Sequence, residues 1–312
     1  MDSTISKLIE KANLNASEHK PVFYRLSNSK DEADLIDLIR SNNGLQIHDE
    51  IQGQVEELVK SLNPKIVYSK PNLTEDANKH FGSIPREKYG VWVYYKWLNK
   101  LVHILDEEEF VTVRTNRNQY KITPAEKAIL ATKTIGIIGL SVGQSIALTI
   151  AMERICGEIV ITDFDLLELS NLNRIRAGVQ NLGIPKTIVV AREIAEIDPF
   201  LKVTCLHEGL NEENNSSFFL HNGKKLDLCI EVCDGLNIKI FVRQKAKELR
   251  IPVVMNSSDR GSTDIERFDL NPELPILHGL VDHLDLTLVK QAKTNEEKVP
   301  YLLPMLGLES SS

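Results

Sequence analysis

No apolar run in the sequence approaches the roughly 18 residues of a membrane-spanning helix, which excludes a helical span. Cysteine is scarce, with four in 312 residues, too few for a disulfide framework in a chain this long. A reducing cytosol is therefore the expected compartment. None of Cys156, Cys205, Cys229 and Cys233 forms a Cys-x-x-Cys pair, the spacing of a tetrahedral thiolate zinc site. Cys229 and Cys233 fall within one strand pattern, where a core role is expected. His278, Asp282 and His283 stand close together but carry no ligand spacing and read as surface residues. The opening Met1-Asp2-Ser3-Thr4 lacks the charged and apolar regions of a signal peptide. Positive charge is also short. The formal net charge of −7 argues against a broad electrostatic footprint for nucleic acid. What remains is ordinary for a globular chain, 42% hydrophobic and 26% charged, long enough for a sizeable core and two domains.

The organising stretch runs from Lys133 to Lys186. Thr134-Ile135-Gly136-Ile137-Ile138 is a short β-branched apolar run, read as a buried parallel strand. A turn follows over Gly139-Leu140-Ser141-Val142-Gly143, then a helix pattern from Gln144 to Arg154. A second apolar strand, Glu158 to Thr162, ends on Asp163-Phe164-Asp165. Strand, glycine turn, helix, strand and terminal acid make a βαβ unit that holds a nucleotide. Its glycines let the backbone approach phosphates, its helix offers free N–H groups, and its acid meets a ribose hydroxyl. Ser170-Asn171-Leu172-Asn173-Arg174 and Gly183-Ile184-Pro185-Lys186 come next. Two amides, an arginine and a lysine behind the ribose acid suit cleavage of ATP between its α- and β-phosphates, where charge builds up as pyrophosphate leaves.

On these residues the segment resembles the ATP-binding core of the ThiF/MoeB/E1 superfamily, enzymes that adenylate a carboxylate, often the C-terminus of a ubiquitin-like or sulfur-carrier protein. The resemblance covers about residues 113–270. It implies a doubly wound α/β fold with a mostly parallel sheet. It also implies ATP and Mg²⁺ as cofactors, Asp163 on the ribose, and Asn171, Arg174 and Lys186 on the phosphates. Gly139, Ser141, Gly143 and Asp165 would complete the nucleotide site, and Asp234 would be the Mg²⁺-linked acid. A symmetric homodimer is implied as well, with Arg117 of one copy reaching the other's phosphates and Arg114 in reserve. The sequence departs from the family's Gly-x-Gly-Gly-x-Gly at Ser141, Val142 and Gln144. Ile175 stands where glutamine is frequent, Gly235 where asparagine commonly follows the acid, and Lys186 lies one residue nearer to Arg174 than usual.

Around this core, residues 1–112 read as an N-terminal α/β cap, 113–275 as the nucleotide domain and 276–312 as a C-terminal extension. The abrupt Ser310-Ser311-Ser312 ending suggests a piece of a longer protein. In the cap, a short helix from Ile5 to Ala12 is expected, then a strand at Pro21 to Leu26. A helix over Lys30 to Ser41 turns Leu35, Ile36, Leu38 and Ile39 inward. Another covers Gln54 to Leu62, before a strand at Lys65 to Tyr68 and a polar loop through Pro71, Gly82 and Pro85. Strands at Gly90 to Tyr95 and Leu101 to Leu105 lead to an acidic turn, Asp106 to Glu109. Thr123-Pro124-Ala125-Glu126 opens a helix with a capping box. Beyond Lys186 come a helix to Ile197, strands at Lys202 to Leu206 and Leu226 to Asp234, a helix over Asn237 to Arg250 and a strand at Ile251 to Met255. A loop at Ser257 to Gly261 and an antiparallel extension at Asp264 to Phe268 follow.

Three readings fit the residues: the adenylyltransferase, an NAD(P)-dependent oxidoreductase on the same βαβ start, and a nucleotide-binding module without turnover. The oxidoreductase accounts for Gly139, Gly143 and Asp163 but leaves Asn171, Arg174 and Lys186 without a task. The carboxylate itself (protein tail, peptide, modified tRNA base or small acid) is not written in the chain.

Overall fold

Val91, Val93 and Tyr95 are buried while Trp92 and Tyr94 between them are partly exposed, the period-two pattern of a half-buried strand. In the computed structural model, which describes residues 17–257, 262–286, 288–292 and 294–305, this strand anchors the first of two units. The expected helix at Ile5 to Ala12, residues 258–261 of the expected loop and the serine tail lie outside the described residues. The units comprise residues 1–127 with 195–200, and residues 128–194 with 201–312.

The first unit holds strands β1 (Val22–Tyr24), β2 (Gln46–Asp49), β3 (Val91–Tyr95) and β4 (Lys100–Ile104). Their order is β1-β3-β4-β2, with only β2 and β4 parallel. Its helices are α1 (Ser29–Ser41), α2 (Ile51–Leu62), α3 (Lys70–Phe81) and α4 (Glu107–Arg114). Ile51, Val55 and Leu58 of α2 pack on Leu73, Ala77 and Phe81 of α3. Four expectations fail here, each for a local reason. The expected strand at Lys65 to Tyr68 is irregular, with Val67 98% exposed. Pro71 sits in the first turn of α3, where a helix needs no N–H, and Ser69 caps it by accepting from Asn72 N. The acidic turn at Asp106 is a helix start: Asp106 accepts from Glu107 N at 2.8 Å, and three glutamates face the positive end of the helix dipole. In α1 only Leu35 is buried, and Ile36 and Ile39 face solvent.

Because α4 continues the first unit, the division falls at 127–128 rather than after 112. It lies within α5 (Pro124–Leu130), whose expected capping box forms: Glu126 Oε2 accepts from Thr123 N at 2.8 Å and Thr123 Oγ1 from Glu126 N at 3.3 Å.

The second unit is built on β5 (Thr134–Ile138), α6 (Leu140–Glu153), β6 (Glu158–Thr162), α7 (Lys186–Ile197), β7 (Lys202–Leu206), α8 (Asn215–Phe219), β8 (Leu228–Glu231), α9 (Leu236–Leu249), β9 (Val253–Ser257), β10 (Ser262–Glu266) and α10 (Asn295–Met305). The six strands lie in the order β10-β9-β8-β5-β6-β7, all parallel except β10. This is a doubly wound α/β sheet flanked by helices. Ser257 ends β9 rather than opening a loop. The segment after 276 is no appendage, since Leu277, Val281 and Val289 share a core with Leu236, Ile240 and Met255.

Among the described residues, one core cluster of this unit packs around Phe218, Leu226, Val242 and Phe268. Gly136 makes room for it. A Cβ there would collide with Leu226 and stand 2.7 Å from Phe218 Cζ. We expect Phe218→Ala to cost ~3–5 kcal/mol and Gly136→Ala ~1–3 kcal/mol, read as shifts in urea midpoint at unchanged slope. The double variant should cost less than the sum, because the new methyl occupies part of the void; strict additivity would disprove this packing account.

Candidate active site

The sheet reverses its winding at β5, with β6 and β7 on one side and β8 and β9 on the other. Open α/β sheets bind ligands beyond the carboxyl ends of their strands at such a point. A cavity of about 250 Å³ lies there, lined by residues at the ends of β5, β6 and β8. Gly139 is the whole of the turn between β5 and α6, since α6 already begins at Leu140. Its φ of +87° favours glycine, and a Cβ would lie 2.9 Å from Val232 O and 3.0 Å from Cys233 N. The expected helix start at Gln144 is thus four residues late. Gly143 lies inside α6, where a Cβ would press on Ile137 and Val232. Its role is packing, and it does not line the cavity.

Six expected residues line this cavity: Gly139, Ser141, Asp163, Asp165, Lys186 and Asp234. Asp163 is buried, and its two oxygens accept from Leu140 N at 2.6 Å and Asp165 N at 2.8 Å. A carboxylate offers about four lone-pair sites, so two remain for a ligand hydroxyl. Lys186, 5% exposed at the first position of α7, donates to Asp165 Oδ2 at 2.7 Å. Arg174 is exposed and joins the site through Ser141, with Nε 2.7 Å from its Oγ. Asp234 is exposed, and no hydrogen bond or ion pair among the described residues holds its carboxylate.

Two expected residues stand elsewhere. Asn171 is buried away from the cavity lining, and its Oδ1 accepts from Glu168 N at 3.0 Å, shaping the loop that carries Arg174. Arg117 is exposed on a short turn, Asn116–Asn118, of the first unit. Its reserve, Arg114, is committed to the fully buried Asp198 at 3.4 Å within that unit.

Sequence reasoning missed several groups. Gln144, a departure from the glycine pattern, is buried and clamps both backbone groups of Arg176, giving Nε2 to its carbonyl and accepting from its N–H, each at 2.8 Å. It thereby ties the Arg174 loop to α6. Thr162 lines the cavity, fully buried, and its Oγ1 has no hydrogen-bond partner among the described residues. Behind β8 lies a charged cluster. Glu231, fully buried, meets Lys239 Nζ and Arg243 Nη1, each at 2.9 Å, and Arg243 Nε stands 2.5 Å from Glu266 Oε2. Burial opposes ionisation of Glu231, but Lys239 and Arg243 outweigh it and hold its carboxyl below the usual range. At Glu266 burial prevails over Arg243 and pushes the carboxyl up. No periodicity betrays such a cluster, because its members come from β8, α9 and β10. Cys233 packs against the core as expected and also lines the cavity; burial and then Glu231 push its thiol up to about 12.

The comparisons with known proteins agree with this geometry. The model of the ThiF family matches residues 115–300, well over half of the chain. An uncharacterized protein of Mycobacterium tuberculosis is 37% identical over 282 residues, 90% of this chain and 36% of that protein. The tRNA threonylcarbamoyladenosine dehydratase of Bacillus subtilis is 27% identical over 157 residues, 50% of this chain and 60% of the relative. The chain therefore spans between about a third and three fifths of the length of these curated relatives. Among solved structures, the tRNA N6-threonylcarbamoyladenosine dehydratase of E. coli aligns with a TM-score of 0.46 at 23% identity, covering 51% of this chain and 65% of that one. On the match across residues 115–300, this chain is a member of the ThiF family.

Proposed function

We propose that the chain is an ATP-dependent adenylyltransferase, which activates a substrate carboxylate as an acyl-adenylate and releases pyrophosphate. The observation that carries this reading is the cavity at the switch point, where a turn without a Cβ, two cations and three carboxylates converge. The nucleotide fits the residues present. The missing Cβ of Gly139 leaves backbone within reach of a phosphate, and the unpartnered Thr162 hydroxyl awaits a polar ligand atom. The cavity, about 250 Å³, lies just under the usual range of roughly 300–1,000 Å³ for ligand sites.

Asp163 would accept from the ribose on its remaining lone pairs. Lys186 has two N–H groups left after Asp165, and Arg174 presents a guanidinium fork held by Ser141. For Mg²⁺ the fit is partial by design of the ligands: no group of three or more His, Cys, Asp or Glu able to hold a metal is found among the described residues. Mg²⁺ commonly binds through one or two carboxylates plus substrate phosphates, and Asp234 is free to serve as that one. When bound it would supply charge neutralisation to the leaving pyrophosphate.

In the reaction a carboxylate oxygen attacks the α-phosphorus in line. The bond from that phosphorus to the bridging oxygen breaks, and its electron pair leaves with pyrophosphate. No general base is required, because the substrate carboxylate is already ionised at neutral pH. The chain's own residues contribute position and positive charge, the terms that dominate such transfers. The substrate class is a carboxylate-bearing molecule: the tail of a ubiquitin-like or sulfur-carrier protein, a peptide or a small acid. A homodimer in which Arg117 of one copy meets the phosphates of the other belongs to the same proposal.

Candidate carboxylates should drive exchange of labelled pyrophosphate into ATP, and Asp234→Asn should abolish that exchange while ATP affinity stays within about tenfold. Undiminished exchange in Asp234→Asn would remove its role, and a nicotinamide fluorescence change without ATP binding would favour the oxidoreductase. Mixing Arg117→Ala with Asp234→Asn chains should restore part of the activity that each lacks. Heterodimers that form yet stay inactive would refute a role for Arg117 across the dimer. Cys156 and Cys229 are buried, and burial pushes the Cys229 and Cys233 thiols away from the nucleophilic thiolate. The acyl group should therefore leave as the adenylate or pass to a separate partner or a downstream domain, with no thioester on this chain. A thiol-sensitive adduct on the native chain that vanishes when all four cysteines become serine would overturn this.

A further inference from the structure

Asp234 is the acid on which the proposed chemistry depends, yet its own carboxylate has no partner among the described residues to aim it. What holds it lies just before it in the chain. Glu231 ends β8 with its carboxylate fully buried, and Oε1 takes three donors: Lys239 Nζ at 2.9 Å, Cys233 N at 3.0 Å and Cys233 Sγ at 3.2 Å. Cys233, the residue before Asp234, is thus tied through both its backbone N–H and its thiol to one buried anchor. That anchor cannot drift, because Glu231 Oε2 accepts from Arg243 Nη1 at 2.9 Å and Arg243 is itself paired with Glu266.

We propose that Cys233, held by Glu231, is a positioning residue that fixes the start of the loop carrying Asp234 and so presents Asp234 to a nucleotide-bound divalent cation. The proposal rests on the adenylyltransferase reading, and it assigns the thiol a task other than nucleophilic attack. A side chain in this place must donate to a buried carboxylate. A thiol and a hydroxyl can do so, and a methyl cannot. The task is local to the loop. The ribose and phosphate contacts expected of Asp163, Lys186 and Arg174 come from β6, α7 and the loop between them, so they should survive its loss.

The test measures ATP affinity of the full chain with Mg²⁺ and with EDTA. The native chain should bind ATP roughly fivefold to tenfold more tightly with Mg²⁺, and Asp234→Asn should abolish that gain. Cys233→Ala should lose the gain too while keeping its affinity in EDTA, and Cys233→Ser should restore it. Glu231→Gln keeps an acceptor for the loop but weakens the pair with Arg243. It should lie between the two, provided its circular dichroism and urea midpoint show a folded chain. A Cys233→Ala chain that keeps the full Mg²⁺ gain, or a Cys233→Ser chain that loses it like alanine, would overturn the positioning role. Equal loss of affinity with and without Mg²⁺ in Cys233→Ala would show a merely structural residue and would also overturn it. Failure of the native chain to bind ATP in either condition would remove both this proposal and the reading beneath it.

Discussion

The site depends on a turn of one residue. Gly139 passes from β5 into α6 at φ +87°, with the backbone of Val232 and Cys233 packed where a side chain would begin. L-residues reach that region only with strain, and here the space is also filled. The turn brings Leu140 N onto Asp163, and Asp163 in turn receives Asp165 N. The ends of β5 and β6 are thereby tied to each other, and the close approach of Val232 and Cys233 brings the end of β8 beside them.

Charge is divided by burial. Asp163 is buried and held by backbone donors, Asp165 pairs with Lys186, and Asp234 is exposed and left open. A buried charge must be paired or hydrogen-bonded to be tolerated, whereas an exposed one can wait for a ligand. The same rule governs the cluster behind β8. There Arg243, fully buried, is tolerated only between Glu231 and Glu266.

Particular residues show why parts of the fold escape a reading in one dimension. Pro71 marks a loop in most contexts, but in the first turn of a helix its missing N–H costs nothing. The run Asp106 to Glu109 has the composition of a solvated turn and the position of a helix start, and only the backbone distinguishes them. Gln144 breaks the family's glycine pattern, yet the structure turns that departure into a clamp on Arg176. Ile36 and Ile39 have helical spacing and remain in water, since periodicity states which residues share a face and not what the face meets.

The sequence by itself determined the doubly wound sheet, the place of the glycine turn and six of the residues that line the cavity beside it. Apolar runs of strand length, a glycine at a strand end and acids beyond β6 and β8 are local signals, created by backbone geometry and burial within a few residues. Only the tertiary structure decided that Gly143 packs, that Asn171 shapes its own loop, and that Glu231, Arg243 and Glu266 meet. It also drew Cys233 onto the cavity wall and residues after 276 into the core. These outcomes depend on which distant side chains share one volume, and the pairing of buried charges from β8, α9 and β10 leaves no periodic trace along the chain.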